Sequence, residues 1–235
     1  MLCMYDPYIE DDKKLSSRRL VTHGFHLVKG NMDHGMEDYI LGLDAVFDGH
    51  SGRQVAEYLH SHLFDNILQK PDFWTNPKRA IQRAYEVTDD EILERVAGSR
   101  GGSTAITAIL INGEKLIVGN VGDSRAIICR EDSVEQITVD HEPQKERSLV
   151  ESRGGFVSKI SADSVIYYRS VPRLDGQLAM ATAFGDGLWN VMSSQEAADC
   201  VRELRDAQEA SEELIKEALS RGSHDDISCV VVAFH

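Results

Sequence analysis

Apolar residues recur at every fourth position in the stretch that follows Gly52, at Val55, Leu59, Leu63 and Ile67. This period predicts one buried face of a helix that runs to about residue 68. Capping signals predict three further helices, which begin at Asn76-Pro77, at Pro143 and at Ser193-Ser194. The first two are predicted to end near residues 97 and 154, and a last helix is predicted over residues 207–220.

Apolar runs of a different kind, rich in Val, Ile and Thr, lie between these helices and predict strands. The Asn112-Gly113 pair between two such runs is typical of a tight hairpin. The predicted strands are residues 20–27, 46–47, 103–111, 115–120, 126–129, 134–139 and 227–234. Hairpins and helices mixed in one chain predict an α+β fold, with two antiparallel β-sheets packed as a sandwich and helices outside.

Composition narrows the classes of protein that the chain can represent. Its 235 residues fit one domain, over residues 19–235, preceded by a polar and aperiodic segment over 1–18 that predicts a flexible tail. A net charge of −14 argues against a nucleic-acid partner. The four cysteines form no C-x-x-C pair, and no apolar run reaches transmembrane length. We therefore expect reduced thiols, no membrane contact, a cytoplasmic or nuclear location and a monomer.

Acidic residues recur beside glycines at the ends of the predicted strands. Asp48 is the sharpest case, since it follows the apolar Val46-Phe47 and precedes Gly49. A carboxylate and a free carbonyl at such a turn suit Mg²⁺ or Mn²⁺, although a simple strand-to-helix turn would use the same residues. Five such turns together predict loops that converge on one cation site: Glu37-Asp38, Asp48-Gly49, Gly122-Asp123, Gly185-Asp186-Gly187 and Gly222 to Asp226.

The chain resembles the metal-dependent protein serine/threonine phosphatases of type 2C (the PPM family), in particular compact plant members. The resemblance covers most of the chain from about residue 20. The matching stretches are Met36-Glu37-Asp38, Val46-Phe47-Asp48-Gly49-His50-Ser51-Gly52, Gly101-Gly102-Ser103-Thr104-Ala105, Asn120-Val121-Gly122-Asp123-Ser124-Arg125-Ala126, Asp140-His141-Glu142-Pro143, Gly154-Gly155-Phe156-Val157, Ala183-Phe184-Gly185-Asp186, Gly187-Leu188-Trp189 and Gly222-Ser223-His224-Asp225-Asp226-Ile227-Ser228.

The resemblance implies hydrolysis of phosphoserine and phosphothreonine in a phosphoprotein by a water that bridges two Mn²⁺ or Mg²⁺ ions. It implies that Asp48 bridges the metals and that His50 is the general acid for the leaving oxygen. The remaining metal positions that it implies are Glu37, Gly49, Asp186 and Asp225, with Asp123 in a weaker third site.

The chain departs from the family pattern where Ala183-Phe184-Gly185-Asp186 runs directly into Gly187-Leu188-Trp189. These are normally two motifs separated by a long segment that supplies sheet strands, so Asp186 stands for two aspartates. We expect part of the sheet to be missing. Two functional hypotheses follow: a weakened phosphatase, or a catalytically dead relative that binds phosphoproteins or is a degenerate gene product. Loss of supporting structure favours impaired or absent activity.

Overall fold

The structure of the protein is a computed structural model. It describes residues 2–6, 21–31, 33–41, 45–96, 101–112, 115–130, 133–141, 148, 157–160, 165–168 and 187–234.

The described residues form thirteen strands and four helices longer than one turn. The strands are β1 (Leu2–Asp6), β2 (Val21–Val28), β3 (Tyr39–Leu41), β4 (Ala45–Phe47), β5 (Gly49–His50), β6 (Gly102–Ser103), β7 (Ala105–Ile111), β8 (Lys115–Val121), β9 (Ala126–Arg130), β10 (Ser133–Gln136), β11 (Val157–Ile160), β12 (Val165–Tyr168) and β13 (Ile227–Phe234). The helices are α1 (Gln54–Leu68), α2 (Pro77–Arg95), α3 (Ser194–Val201) and α4 (Ala207–Ser220).

Two sheets form the centre of the fold. One has five strands in the order β10-β9-β1-β13-β2, and the other has four in the order β3-β4-β7-β8. Val46, Ile106 and Val230 belong to one buried cluster, which joins residues of both sheets. The remaining strands form two short antiparallel pairs, β5 with β6 and β11 with β12. The α+β sandwich predicted from the sequence is confirmed.

The helices cover the outer faces of the sheets. The apolar face of α1, with Leu63 and Ile67 fully buried, packs with α2 in a cluster that includes Phe47 of the four-stranded sheet. Leu214 and Ile215 of α4 pack in another cluster with residues of α3 and β13. The four-residue period in the sequence therefore marks the face that each helix buries.

The local signals for helix ends and turns act as expected. Asn76 accepts a hydrogen bond from the backbone N–H of Arg79 at the start of α2. Ser193 and Glu196 form a capping box at the start of α3. Asn112 adopts a positive φ of 57° between β7 and β8, a conformation that asparagine tolerates better than most residues. Most of the helix predicted from Pro143 lies outside the described residues.

The predicted flexible tail is wrong for Leu2–Asp6, which form β1 in the middle of the five-stranded sheet. β1 is parallel to both of its neighbours, so that sheet is not wholly antiparallel as expected. Residues 7–20 lie outside the described part of the chain, and the boundary at residue 18 stays a prediction. None of the helices in the described ranges is long and apolar enough to cross a membrane.

The outer edge of the five-stranded sheet lies against the first turn of α4. A Cβ on Gly24 of β2 would come within 2.2 Å of backbone atoms of Gln208, so only glycine permits this approach. The Gln208 amide accepts a hydrogen bond from the Phe25 N–H and donates one to the Phe25 carbonyl.

Candidate active site

The Asp225-Asp226 turn holds the loop that contains Glu37. Asp226 is 5% exposed, and its carboxylate accepts hydrogen bonds from the backbone N–H groups of Gly30 (2.8 Å) and Glu37 (3.0 Å). The Asn31 N–H donates to the His224 carbonyl over 2.8 Å. These bonds bring Glu37 and Asp225, which lie far apart in the sequence, to one end of the sandwich.

The Asp48-Gly49 turn meets the same loop. Asp48 follows β4 and is buried, and its backbone exchanges hydrogen bonds with Thr104: the Asp48 N–H donates to Thr104 Oγ1 over 3.2 Å, and the Thr104 N–H donates to the Asp48 carbonyl over 2.8 Å. A Cβ on Gly49 would lie 2.5 Å from the Glu37 carbonyl oxygen. Glycine at this position therefore lets the Asp48 turn and the Glu37 loop touch.

Burial leaves several of these carboxyl groups at high energy when they are ionised. Burial raises the pKa of Asp38 to about 7, opposed by a 2.5 Å hydrogen bond that Ser228 donates to it. Burial also raises the pKa of Asp225, and the neighbouring Asp226 charge adds to that effect. Such a set of hard oxygen donors fits a divalent cation, whose charge would offset the desolvation.

His34 is a basic side chain that lies beside these carboxylates. His34 Nδ1 lies 4.0 Å from Glu37 Oε2. A hydrogen bond to the Gly35 carbonyl raises the pKa of His34, and the charges of Glu37, Asp226 and Asp225 raise it further. The acidic loops therefore favour the protonated form of His34.

Asp123, predicted for a third metal site, lies in a turn that contacts the Asp48 turn through Thr104. Ser124 Oγ is 2.7 Å from Thr104 Oγ1, so Thr104 links the Asp123 turn to the Asp48 turn. Burial raises the pKa of Asp123 to about 6, and Asp140 adds to the rise. Among the described residues, Asp123 Oδ1 is buried with no hydrogen-bond partner. A bound cation would compensate for the desolvation of such a carboxylate oxygen.

His50, predicted as the general acid, lies in β5 immediately after the Asp48-Gly49 turn. Neither of its ring nitrogens has a hydrogen-bond partner within the described residues, and burial lowers its pKa. The imidazole is therefore neutral near pH 7 in this structure. A general acid must hold a proton, so this role would need an anion such as a phosphoryl group beside the ring.

Asp186, the remaining predicted metal ligand, lies outside the described residues. The next residue, Gly187, packs against the cluster, since a Cβ there would come within 2.6 Å of the Asp226 carbonyl oxygen. Within the described residues, which leave out Asp186, no three Asp, Glu, His or Cys side chains are grouped so that they could hold a metal ion. The loops of Glu37, Asp48 and Asp225 converge, but their side chains do not form a finished coordination shell.

Three residues that the sequence analysis assigned no role prove to organise this site. Asp226 and Ser228 follow Asp225, and Thr104 lies in the Gly101 to Ala105 stretch. All three are buried polar residues that connect two of the acidic loops or hold a carboxylate within one. Their position inside the quoted motifs could have drawn attention to them. Their roles could not be predicted, because their hydrogen-bond partners are distant in the sequence.

A model of the protein phosphatase 2C family matches residues 11–187 and again residues 185–227. The two matches share residues 185–187, where the sequence analysis placed two fused motifs. Asp186 thus falls in both parts of the match, as expected if a segment between them is missing.

Known plant proteins are similar to nearly the whole chain. Probable protein phosphatase 2C 28 of Arabidopsis thaliana is 54% identical over 259 positions, covering 92% of this chain and 74% of that protein. Probable protein phosphatase 2C 62 of Oryza sativa subsp. japonica is 48% identical, covering 94% and 89%. Because 92% of 235 residues is about 216, roughly 40 of the 259 positions have no residue of this chain opposite them.

Solved structures support the fold. The structure of a phosphatase from a pathogenic strain of Toxoplasma gondii matches with a TM-score of 0.69 and 18% identity, covering 93% of this chain and 94% of that one. A Caenorhabditis elegans sex-determining protein matches with a TM-score of 0.73 and 22% identity, covering 91% and 64%.

Proposed function

Since the chain belongs to the protein phosphatase 2C family, we propose that it is a metal-dependent protein serine/threonine phosphatase whose activity is impaired. The family makes it serine/threonine phosphatase-like, and the proposal concerns its metal site and its turnover. One observation supports the metal site above all: the Asp226 carboxylate holds the Glu37 loop while Gly49 touches the Glu37 carbonyl. Three acidic loops thereby meet at one place.

The proposed ions are two Mn²⁺ or Mg²⁺ ions. Asp48, the Gly49 carbonyl, Glu37 and Asp225 would hold them, together with Asp186, and Asp123 would hold a weaker ion. When bound, such ions lower the pKa of water and neutralise charge on phosphoryl oxygens. Asp226, Thr104 and Ser228 position the residues that would touch these ions.

The chain's own groups handle substrate and protons in this proposal. A phosphorylated serine or threonine of a protein partner would place its phosphoryl group over the Asp48-Gly49 turn, next to His50. The negative charge of the phosphoryl group would raise the lowered pKa of His50, so that the imidazole could donate a proton to the leaving oxygen. His34, at the rim beside Glu37, adds the positive charge that an anionic substrate favours.

Low turnover is expected from the same geometry. Asp186 matches both halves of the family model, and the described side chains do not form a three-ligand group. Because catalytic positions tolerate errors of only about half an ångström, a small shift of one ligand lowers the rate by orders of magnitude.

These two observations also support a second candidate, a protein that binds phosphoproteins without hydrolysing them. Such a protein would keep the acidic loops and His34 but would not bind the second metal ion. The location in the cytoplasm or nucleus and the monomeric state belong to both proposals.

Calorimetric titration of Mn²⁺ into the protein separates the candidates when combined with hydrolysis of a phosphothreonine peptide. Asp48→Asn removes the central ligand, and Asp199→Asn, an exposed change in α3, is the matched control. Metal binding and slow hydrolysis that are both lost only in Asp48→Asn support the impaired phosphatase. Metal binding without hydrolysis supports the binding protein, and absence of Mn²⁺ binding contradicts the metal site itself.

A further inference from the structure

In the five-stranded sheet, β1 is the strand whose pairings are parallel. β10 pairs with β9 and β13 pairs with β2, both in antiparallel fashion, whereas β1 lies between β9 and β13 and is parallel to both. No other strand pairs β9 to β13 in the described part of the chain. Without β1, the sheet would therefore divide into two antiparallel strand pairs, β10-β9 and β13-β2, with two unpaired inner edges.

The register of β1 suits a strand that is covered on both faces. Positions 2 and 4 are level with Val230 and Val232 of β13, which belong to or border the cluster between the two sheets. Positions 3 and 5 are level with Val231 and Ala233, on the face covered by α3 and α4. The sequence Leu2-Cys3-Met4-Tyr5 supplies four apolar or aromatic residues in a row, the pattern of a strand buried on both faces.

The slot that β1 fills lies near the point at which the match to the family divides. About 40 positions of the Arabidopsis relative have no counterpart here, and the family match divides at residues 185–187. Gly187 lies against Asp226, immediately before β13. The point at which the family match divides therefore lies next to the slot that β1 fills.

We propose that β9 and β13 form a strand-binding slot for an extended apolar peptide, and that Leu2–Asp6 of the same chain occupies this slot, which no other strand of the described residues fills. Backbone hydrogen bonds to both edges would give affinity, and the run of apolar residues would give specificity for an apolar segment. This inference does not depend on phosphatase activity.

A cross-link within the 235-residue chain tests the occupant of the slot. Tyr5 is level with Cys129 of β9, and adjacent strands are separated by a distance that a disulfide can span. We expect Cys3→Ser/Tyr5→Cys to form a 5–129 disulfide within one chain under mild oxidation, detected by peptide mass spectrometry. The control Cys3→Ser/Met4→Cys places the thiol one position away, on the opposite face, and should give at least tenfold less cross-link to Cys129.

A proline substitution tests the slot itself. Met4→Pro removes a backbone donor from the middle of β1, whereas Met4→Val keeps it. We expect Met4→Pro to lower Tm by at least about 6 °C and Met4→Val to change it little. A labelled peptide with the sequence of residues 1–8 should bind Met4→Pro at least tenfold more tightly than the wild type, whose slot is filled.

The outcomes decide the proposal. An intrachain 5–129 disulfide supports it even if Met4→Pro does not fold. No 5–129 disulfide, or one found only between two chains, overturns the assignment of the occupant. Equal Tm values for Met4→Pro and Met4→Val, with no peptide binding, overturn the slot.

Discussion

The carboxylate of Asp226 is predicted to be a larger determinant of stability than any of the proposed metal ligands. Asp226→Ala leaves the N–H groups of Gly30 and Glu37 without their acceptor. A hydrogen bond to a charged acceptor contributes about 1.5–3 kcal/mol, and both donors lose theirs. Removing the Asp226 charge also relieves repulsion on Asp38 and Asp225, which offsets a small part of this loss. The expected net loss is about 2–5 kcal/mol of unfolding free energy.

Urea unfolding followed by circular dichroism measures this loss, in EDTA so that metal binding does not contribute. Asp226→Asn keeps the shape and one acceptor oxygen but turns an N–H₂ group towards one donor, so it should fall between the wild type and Asp226→Ala. Asp199→Ala is the control: its carboxylate also accepts two side-chain hydrogen bonds, but on an exposed surface, and it should cost less than about 0.5 kcal/mol. Mn²⁺ affinity of Asp226→Ala should fall by roughly ten- to hundredfold, because the Glu37 loop is released. If Asp226→Ala unfolds at the same urea concentration as Asp199→Ala, the Asp226 carboxylate does not hold the loop and the reasoning is refuted.

Two further predictions concern pH and backbone packing. Burial raises the pKa of Asp38 to about 7, above its unfolded value near 4. The folded metal-free protein therefore binds this proton more tightly than the unfolded chain does. The stability that this proton contributes is lost as the pH rises from about 4 through 7. Asp38→Asn should therefore reduce the change in stability between pH 5 and pH 8 by roughly 2.5 kcal/mol in EDTA, because about two pH units of this range lie below the folded pKa. An unchanged pH profile would contradict a protonated Asp38. Gly24→Ala should destabilise the protein by more than about 2 kcal/mol in chemical denaturation, because its Cβ would overlap the backbone of Gln208; Gly35→Ala, which meets nothing within 4 Å, should be close to neutral, and equal effects of the two would argue against the close packing of β2 on α4.

The sequence predicted the parts of the fold whose signals are local. The predicted last helix and last strand coincide with α4 and β13, because period, cap and flanking turn all lie within a few residues of each element. Burial of Asp48 at the end of a strand was also readable, since Val46 and Phe47 precede it and Gly49 follows.

What the sequence did not predict depends on contacts between distant residues. Leu2–Asp6 is a short apolar run followed by polar sequence, and its two partners lie more than a hundred residues away. The role of Asp226 depends on N–H groups 189 and 196 positions away, and no local pattern distinguishes it from Asp225. Pairing across such separations is decided by the assembled sheet, as the buried faces come into register.

The amide of Gln208 closes one margin of the five-stranded sheet. By accepting from the N–H and donating to the carbonyl of Phe25, this single side chain imitates one residue of a neighbouring strand. A foreign chain that approached β2 would find these two groups already engaged and the first turn of a helix in its path. Gln208 thereby disfavours pairing of this part of β2, where Phe25 and Leu27 are both exposed, with a strand of another molecule.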